Sequence, residues 1–170
     1  MLGLYENFPQ TIHLSETYAS SLSKQKTQVK LTEVFQALNH KTFSFEETGN
    51  PTMPNCSVIF EFGIADAGNF NFLSETETKK LQSAVAERPL RLMDWFCVIR
   101  YYKNTQPKKT PMKFDYYMLR SSFMEAGLVH FQVFHERGPR YISPENLLIF
   151  IVRMVNKGSK TKMLMPTDES

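Results

Sequence analysis

Apolar and polar residues alternate along several stretches of this chain with the two-residue period of half-buried β-strands. Near residues 10–19, Ile12, Leu14 and Tyr18 share one parity, and polar side chains occupy the other. Thr42, Phe43 and Phe45 predict a short second strand. Over residues 56–64 one face is wholly apolar, and it consists of Cys56, Val58, Phe60, Phe62 and Ile64. We therefore expect these stretches to be strands.

Further strand-like stretches follow one another in the second half of the chain, near residues 91–103, 112–122 and 128–135. A lysine-rich loop over residues 104–110 joins the first two, and the turn Glu125-Ala126-Gly127 joins the last two. Short connections of this kind join neighbouring antiparallel strands. These stretches are therefore predicted to form an antiparallel meander.

Capping signals mark the starts of the predicted helices. Ser23 precedes a stretch whose apolar residues come close to helical spacing, up to about Asn39. Residues 74–77, SETE, match a capping box, in which a hydroxyl and a carboxylate satisfy free amides. Residues 143–145, SPE, open the last helix. Because residues 147–155 are apolar nearly all round, this helix must be covered on more than one side, within the domain or by a partner.

The order of these elements predicts the fold class. Adjacent strands dominate, which favours an α+β protein: a largely antiparallel sheet or partly closed β-barrel of about six strands with three helices. The length, 170 residues, suits one compact domain. We expect a single globular domain over residues 1–157 and a loose C-terminal tail over residues 158–170, which begins at Gly158, a residue type that commonly stops a helix.

The composition is that of a globular protein, with one unusual feature. The chain is 42% hydrophobic and 22% charged, which argues against a disordered or collagen-like protein. Aromatic residues make up 13%, with fourteen Phe, and most of these lie on predicted strand faces. The longest apolar-rich run, residues 147–155, is less than half of what a membrane crossing needs. With no secretory signal pattern either, we expect no membrane contact and an intracellular location, cytoplasmic or nuclear.

No catalytic motif is found in the sequence. Four histidines and two cysteines are scattered, without the spacing of a metal site, a nucleophile motif or a phosphate loop. His130 and His135 lie on one predicted strand with opposite parity, so they point to opposite faces. Cys97 lies among apolar residues in mid-strand, where a small buried hydrophobe is expected rather than a nucleophile. We therefore expect no enzymatic activity, no metal and no cofactor.

The net charge of +3 hides an uneven distribution. Residues 41–78 are acidic, whereas residues 79–113 are strongly basic. Within the predicted meander, a basic surface with aromatic rings is expected from Arg100, Tyr102, Lys103, Lys108, Lys109, Lys113 and Tyr117. Such a surface suits nucleic acid, through phosphate contacts and stacking. It equally suits a protein interface, where Tyr and Arg are favoured.

A second candidate site is the turn before the last helix. Arg137 and Arg140 flank a Gly-Pro turn just ahead of the helix start at Ser143, an arrangement suited to holding a phosphate or carboxylate. Alternatively, Ser143 satisfies an amide itself and Glu136 pairs with one of the arginines. The segment would then be a structured strand-to-helix turn, and the sequence leaves both interpretations open.

Residues 114–134, FDYYMLRSSFMEAGLVHFQVF, combine a strand with tyrosines and a basic residue, a phenylalanine, a Gly-containing turn and a strand with alternating apolar residues. Together with the general order of elements, this stretch resembles the β-barrel subunits of the Mediator head module. The resemblance implies a non-catalytic, nuclear subunit of a transcription complex. It carries over no functional residue.

Two functional hypotheses follow from the sequence. The first is a non-enzymatic protein-interaction module, a subunit of a larger intracellular assembly with protein partners or further copies of itself. The alternative is a domain that binds nucleic acid or phosphate groups through residues 100–113 with Arg137 and Arg140. The missing catalytic motifs, the many aromatic residues and the apolar last helix favour the first.

Overall fold

The computed structural model describes residues 1–49, 55–104, 109–157, 159 and 161–167, with the backbone alone for residues 109 and 110. This part of the chain contains eight β-strands and three α-helices. The strands are β1 (Leu14–Ser20), β2 (Thr42–Ser44), β3 (Cys56–Asp66), β4 (Asn69–Phe72), β5 (Leu92–Asn104), β6 (Lys109–Phe123), β7 (Leu128–Arg137) and β8 (Leu164–Pro166). The helices are α1 (Lys24–Leu38), α2 (Glu75–Glu87) and α3 (Pro144–Asn156).

The strands form one antiparallel sheet in the order β2-β3-β5-β6-β7-β1-β8, and β4 pairs with β3. As the meander prediction requires, β5 pairs with β6 and β6 with β7. The sheet is not closed into a barrel. The predicted class, α+β with a largely antiparallel sheet and three helices, is therefore confirmed. Among the described residues the sheet has eight strands rather than about six, because the short strands β4 and β8 were not among the predicted ones.

One face of the sheet and the helices enclose the hydrophobic core. Along β5, alternate residues line this core, and Met93, Trp95, Cys97, Ile99 and Tyr101 are each at most 1% exposed. The ring centroid of Phe35, on α1, lies 4.4 Å from that of Phe62 and 4.7 Å from that of Trp95. Phe150 of α3 stacks on Phe60 at 5.1 Å. Many of the aromatic residues therefore fill this core.

Each helix begins at the serine that the sequence predicts. The hydroxyl oxygens of Ser23, Ser74 and Ser143 accept hydrogen bonds from the backbone amides three residues ahead, at 3.2, 3.2 and 3.1 Å. A cap of this kind satisfies an amide that the first turn leaves free, and it contributes about 1 kcal/mol. The predicted starts of α1, α2 and α3 are therefore confirmed.

The apolar helix α3 is covered mainly within the domain. Its buried apolar side chains are Leu147, Leu148, Phe150, Ile151, Val152 and Val155. Ile149 faces solvent and is 56% exposed. A partner is thus not required to bury this helix, and its composition no longer favours one. Across the described residues, no helix combines the length and the apolar character needed to span a bilayer.

Part of the segment that was expected to be a loose tail, residues 158–170, forms a strand. β8 pairs antiparallel with β1, and Leu164 lies opposite Ser20. Met163 and Leu164 are buried, and the side-chain oxygen of Asn156 accepts a hydrogen bond from each of their amides at 2.9 Å. This segment is thus tied both to the end of α3 and to the sheet. Gly158, where the tail was expected to begin, lies outside the described residues.

Candidate binding surface on the outer sheet face

The side chains of β6 point the opposite way from the sequence-based expectation. Asp115, Tyr117 and Leu119 are 0% exposed and face the core, whereas Phe114 is 41% exposed and Tyr116 is partly exposed. The prediction that Tyr117 lies on a polar outer face is therefore wrong. Alternation along a strand shows which residues share a face, but it does not show which face meets the helices.

The face of β6 that carries the polar residue Asp115 can point towards the core because this carboxylate is fully paired. Oδ1 of Asp115 lies 2.8 Å from Nε2 of His135 and accepts a hydrogen bond from the amide of Arg140 at 2.7 Å. Oδ2 accepts hydrogen bonds from the Tyr101 hydroxyl at 2.6 Å and from the amide of Tyr141 at 3.0 Å. Buried carboxylates are stable only when they are paired in this way. Asp115 thus joins β5, β7 and the turn before α3.

Two buried tyrosines complete this polar cluster. The hydroxyl of Tyr117 donates a hydrogen bond to the carbonyl of Ile142, just before α3. Burial, followed by the nearby Tyr117 and the hydrogen bond to Asp115, raises the pKa of Tyr101 far above its ordinary value. Burial and then the charge of Asp115 likewise raise the pKa of Tyr117. Both side chains are therefore neutral hydrogen-bond donors in the folded protein.

The same carboxylate occupies the turn proposed as an anion site. The amides of Arg140 and Tyr141 both donate to Asp115. Gly138, with φ at +112°, permits this approach, since a Cβ there would lie 2.4 Å from Oδ1 of Asp115. The backbone is thus a structured strand-to-helix turn around an internal carboxylate. What the turn offers to solvent is the exposed side chains of Arg137 and Arg140.

The outer face of β5 and β6 carries a row of rings with arginines beside them. The ring centroids of Phe96 and Tyr116 lie 5.4 Å apart, and those of Tyr116 and Phe114 lie 5.0 Å apart. Cζ of Arg137 lies 4.5 Å from the Tyr116 centroid, and Cζ of Arg100 lies 5.8 Å from the Phe114 centroid. A cation within about 6 Å of a ring is attracted to its π-face. We call these five residues the aromatic–arginine face.

Strand register assembles the aromatic–arginine face. Arg100 of β5 pairs directly with Phe114 of β6, and Tyr116 pairs with Arg137 of β7. Directly opposite residues in antiparallel strands point to the same side of the sheet. The pairing of β5 with β6 shifts at a bulge between Arg100 and Tyr102. Because three strands contribute, the face exists only in the folded sheet.

The structure brings only some of the predicted basic residues together. Arg100 and Arg137 lie on the aromatic–arginine face. At the end of β5 and the start of β6, three further residues lie near this face: Tyr102, Lys103 and Lys113. Arg140 lies on the turn before α3, and Tyr117 lies in the core. The backbone of Lys109 forms the first position of β6, and Lys108 lies outside the described residues. Phe96, Phe114 and Tyr116 were not predicted as surface residues, because aromatic side chains on a strand usually indicate core.

A groove adjoins the exposed end of this face. It has a volume of about 500 Å³ and is lined by Met112, Lys113, Phe114, Arg137, Gly138 and Pro139. Met112 is 36% exposed and Phe114 is 41% exposed. The groove therefore joins an apolar wall with two cationic side chains. In the described part of the chain, no three His, Cys, Asp or Glu side chains come together as a metal site would require.

The thiol of Cys97 is expected to be unreactive in the native protein. Burial, and then the charge of Asp115, raises the pKa of this thiol well above its usual range, and the thiolate is the nucleophilic form. In a Cys56→Ser variant, which leaves Cys97 as the sole thiol, we expect labelling by a disulfide reagent to be roughly 1,000-fold slower than in denaturant, because it requires opening of the core. Absorbance of the released thiol measures the rate, and rapid labelling of folded protein would contradict the prediction.

The chain was compared with models of known protein families, with curated protein sequences and with solved structures, and none of the three comparisons found a significant match.

Proposed function

We propose that this protein is a non-enzymatic interaction module, a subunit of a larger assembly that docks its partner on the aromatic–arginine face. One observation carries the proposal: Phe114 and Tyr116, two of the largest apolar side chains of β6, face outwards while Asp115 and Tyr117 face the core. A strand that serves stability alone would place its aromatic side chains inwards. The outward orientation is explained if a partner covers it.

The composition of the face also supports docking. Aromatic residues and arginine are enriched at the centres of protein interfaces, and they supply most of the hot spots. The row from Phe96 through Tyr116 to Phe114 is held by ring contacts and by Arg100 and Arg137, so it is ordered before a partner arrives. Preordered side chains lose less conformational entropy on binding. By the resemblance to Mediator head subunits, the proposed assembly belongs to the transcription machinery.

The docking proposal predicts that removing two rings abolishes partner capture. We expect Phe114→Ala with Tyr116→Ala to lower recovery of specific partners roughly 10-fold or more, because each lost hot spot costs more than about 1 kcal/mol. The measurement is affinity capture from extracts of the native cells, followed by quantitative identification of the recovered molecules. Circular dichroism and thermal melting of the purified variant check that the sheet is intact.

A matched control removes an exposed apolar side chain elsewhere. Ile149→Ala alters a residue that is 56% exposed on α3, away from the aromatic–arginine face, and should leave capture unchanged. Equal loss in the Ile149 variant would assign the docking surface to α3. Full retention of the same partners by a folded double variant would overturn the proposed function.

A further inference from the structure

We infer that the partner bound on the aromatic–arginine face is a single-stranded nucleic acid, with bases stacked on its rings and phosphates held by Lys113 and Arg137. The inference rests on the docking surface of the proposed function and specifies a nucleic acid, rather than a protein, as the partner that this face binds. It is carried by two features that meet in one groove, namely an exposed ring and cationic side chains without an acidic neighbour in the lining.

The groove provides the first of these features. Phe114 forms one wall and is 41% exposed, so part of its ring is open to a planar ligand. Lys113 precedes it on β6, and Arg137 stands on the neighbouring strand with its Cζ 4.5 Å from the ring of Tyr116. Single-stranded nucleic acids bind proteins by base stacking on such rings while cations track the backbone.

The charges around the face favour a polyanion. Two acids on this side of the sheet are already paired: Nε of Arg100 donates a hydrogen bond to Oε1 of Glu61 at 3.1 Å, and Nε of Arg120 donates one to Oδ1 of the buried Asp94 at 2.7 Å. Asp115 lies behind the strand, fully buried and fully paired. Lys113 and Arg137 are exposed and line the groove, and the exposed Glu136 that precedes Arg137 on β7 is not part of this lining. Charge complementarity therefore favours a partner with closely spaced negative groups.

The rings favour a single strand over a duplex. In a duplex the faces of the bases are stacked on one another. A duplex can therefore contact the flat surface of a β-sheet mainly through its phosphates. In a single strand every base presents a π-face, and stacking is tolerant of sequence. The rings of Phe96 and Tyr116 are tilted by 32° at 5.4 Å, whereas Phe114 stands at 90° to Tyr116 at 5.0 Å, so the Phe114 ring offers a separate stacking surface at the groove.

Fluorescence anisotropy with labelled oligonucleotides tests the inference on the full chain. The probes are a mixed-sequence single strand, as DNA and as RNA, the same sequence as a duplex, and an acidic peptide containing phenylalanine. For the two phosphate contacts of Lys113 and Arg137 we expect the affinity for the single strand to fall roughly 7-fold between about 50 and about 200 mM salt. The duplex should bind at least about 10-fold more weakly than the single strand, because stacking contributes to one complex only.

Two kinds of variant separate stacking from charge. Phe114→Ala should weaken single-strand binding about 10-fold and leave the salt dependence unchanged, because it removes a stacking ring. Lys113→Glu with Arg137→Glu should weaken binding and also flatten the salt dependence, because it removes phosphate contacts. A matched double charge reversal, Lys26→Glu with Lys157→Glu, changes exposed lysines on α1 and beyond α3 and should have little effect.

The outcomes distinguish this inference from the function on which it rests. Equal affinity for duplex and single strand, or binding insensitive to Phe114→Ala, would overturn it. It would also be overturned if the acidic peptide bound in a Phe114-dependent manner and no oligonucleotide did, although the docking surface would then stand. Failure of all probes, together with unchanged partner capture by the Phe114→Ala, Tyr116→Ala variant, would overturn both.

Discussion

Replacing Asp115 by asparagine is expected to lower the free energy of unfolding by about 3 kcal/mol, a large part of the stability of an ordinary domain. Both oxygens of Asp115 accept a hydrogen bond from a backbone amide, Oδ1 from Arg140 and Oδ2 from Tyr141. The NH₂ group of asparagine, on either side, would oppose one of these amides with a second donor. Neither orientation of the new side chain is therefore satisfied, although its shape is nearly unchanged.

Urea unfolding followed by circular dichroism measures this effect. Glu136→Gln, the matching change at an exposed position of β7, should alter the unfolding free energy by less than about 0.5 kcal/mol. Tyr101→Phe removes one donor to Asp115 and should lower the unfolding free energy by about 1 kcal/mol. This effect lies between those of the Asp115→Asn and Glu136→Gln substitutions. An Asp115→Asn protein as stable as the Glu136 control would show that the buried cluster contributes little.

Raising the pH above about 10 is expected to destabilise the protein steeply. The pKa values of Tyr101 and Tyr117 are raised in the folded state, chiefly by burial. Above the ordinary tyrosine pKa the unfolded chain loses these protons while the folded protein keeps them, so stability falls as pH rises. The stabilisation is complete below about pH 10 and is lost towards the raised folded pKa values, at about 1.4 kcal/mol per pH unit for each tyrosine.

Urea unfolding at a series of alkaline pH values gives the slope of stability against pH. Tyr101→Phe and Tyr117→Phe should each flatten that slope by about 1.4 kcal/mol per pH unit. Tyr102→Phe, at a partly exposed tyrosine on the same strand as Tyr101, should leave it unchanged. If all three substitutions gave the same slope, the buried tyrosines would not be the source of alkaline unfolding.

Local signals in the sequence were sufficient for most of the secondary structure. A serine hydroxyl and a helical period lie within a few residues of one another, so Ser23, Ser74 and Ser143 could be recognised as helix starts without any knowledge of the sheet. The meander could be predicted equally well, because the turn at residues 125–127 is short and the strands beside it are long. Secondary structure of this kind depends on neighbours in the sequence.

The orientation of β6 could not be predicted in the same way. Both parities of the strand contain tyrosines and other apolar residues, so alternation alone does not decide between them. The decision depends on Asp115, whose partners on β5, β7 and the turn before α3 lie 14 to 26 residues away in sequence. A buried carboxylate is identified only when those donors are known. The aromatic–arginine face could not be predicted from the sequence for the same reason.

Segments at both ends of the chain acquire their structure from distant contacts. The amide of Gly3 donates to the carbonyl of Ala65, and its own carbonyl accepts from the amide of Asp94, each at 2.7 Å. These residues therefore extend the sheet between β3 and β5, although they carry no strand pattern. β8 depends in the same way on β1 and on the side chain of Asn156.

The ends of the sheet have a consequence for the behaviour of the protein at high concentration. In the described part of the chain, the edge strands are β2, β4 and β8, which have three, four and three residues, and β8 ends at Pro166. Short edges, and a proline that lacks an amide donor, offer little template for pairing with another chain. Edge-to-edge aggregation is therefore disfavoured, so the protein can expose an aromatic sheet face without exposing a strand that would seed fibrils.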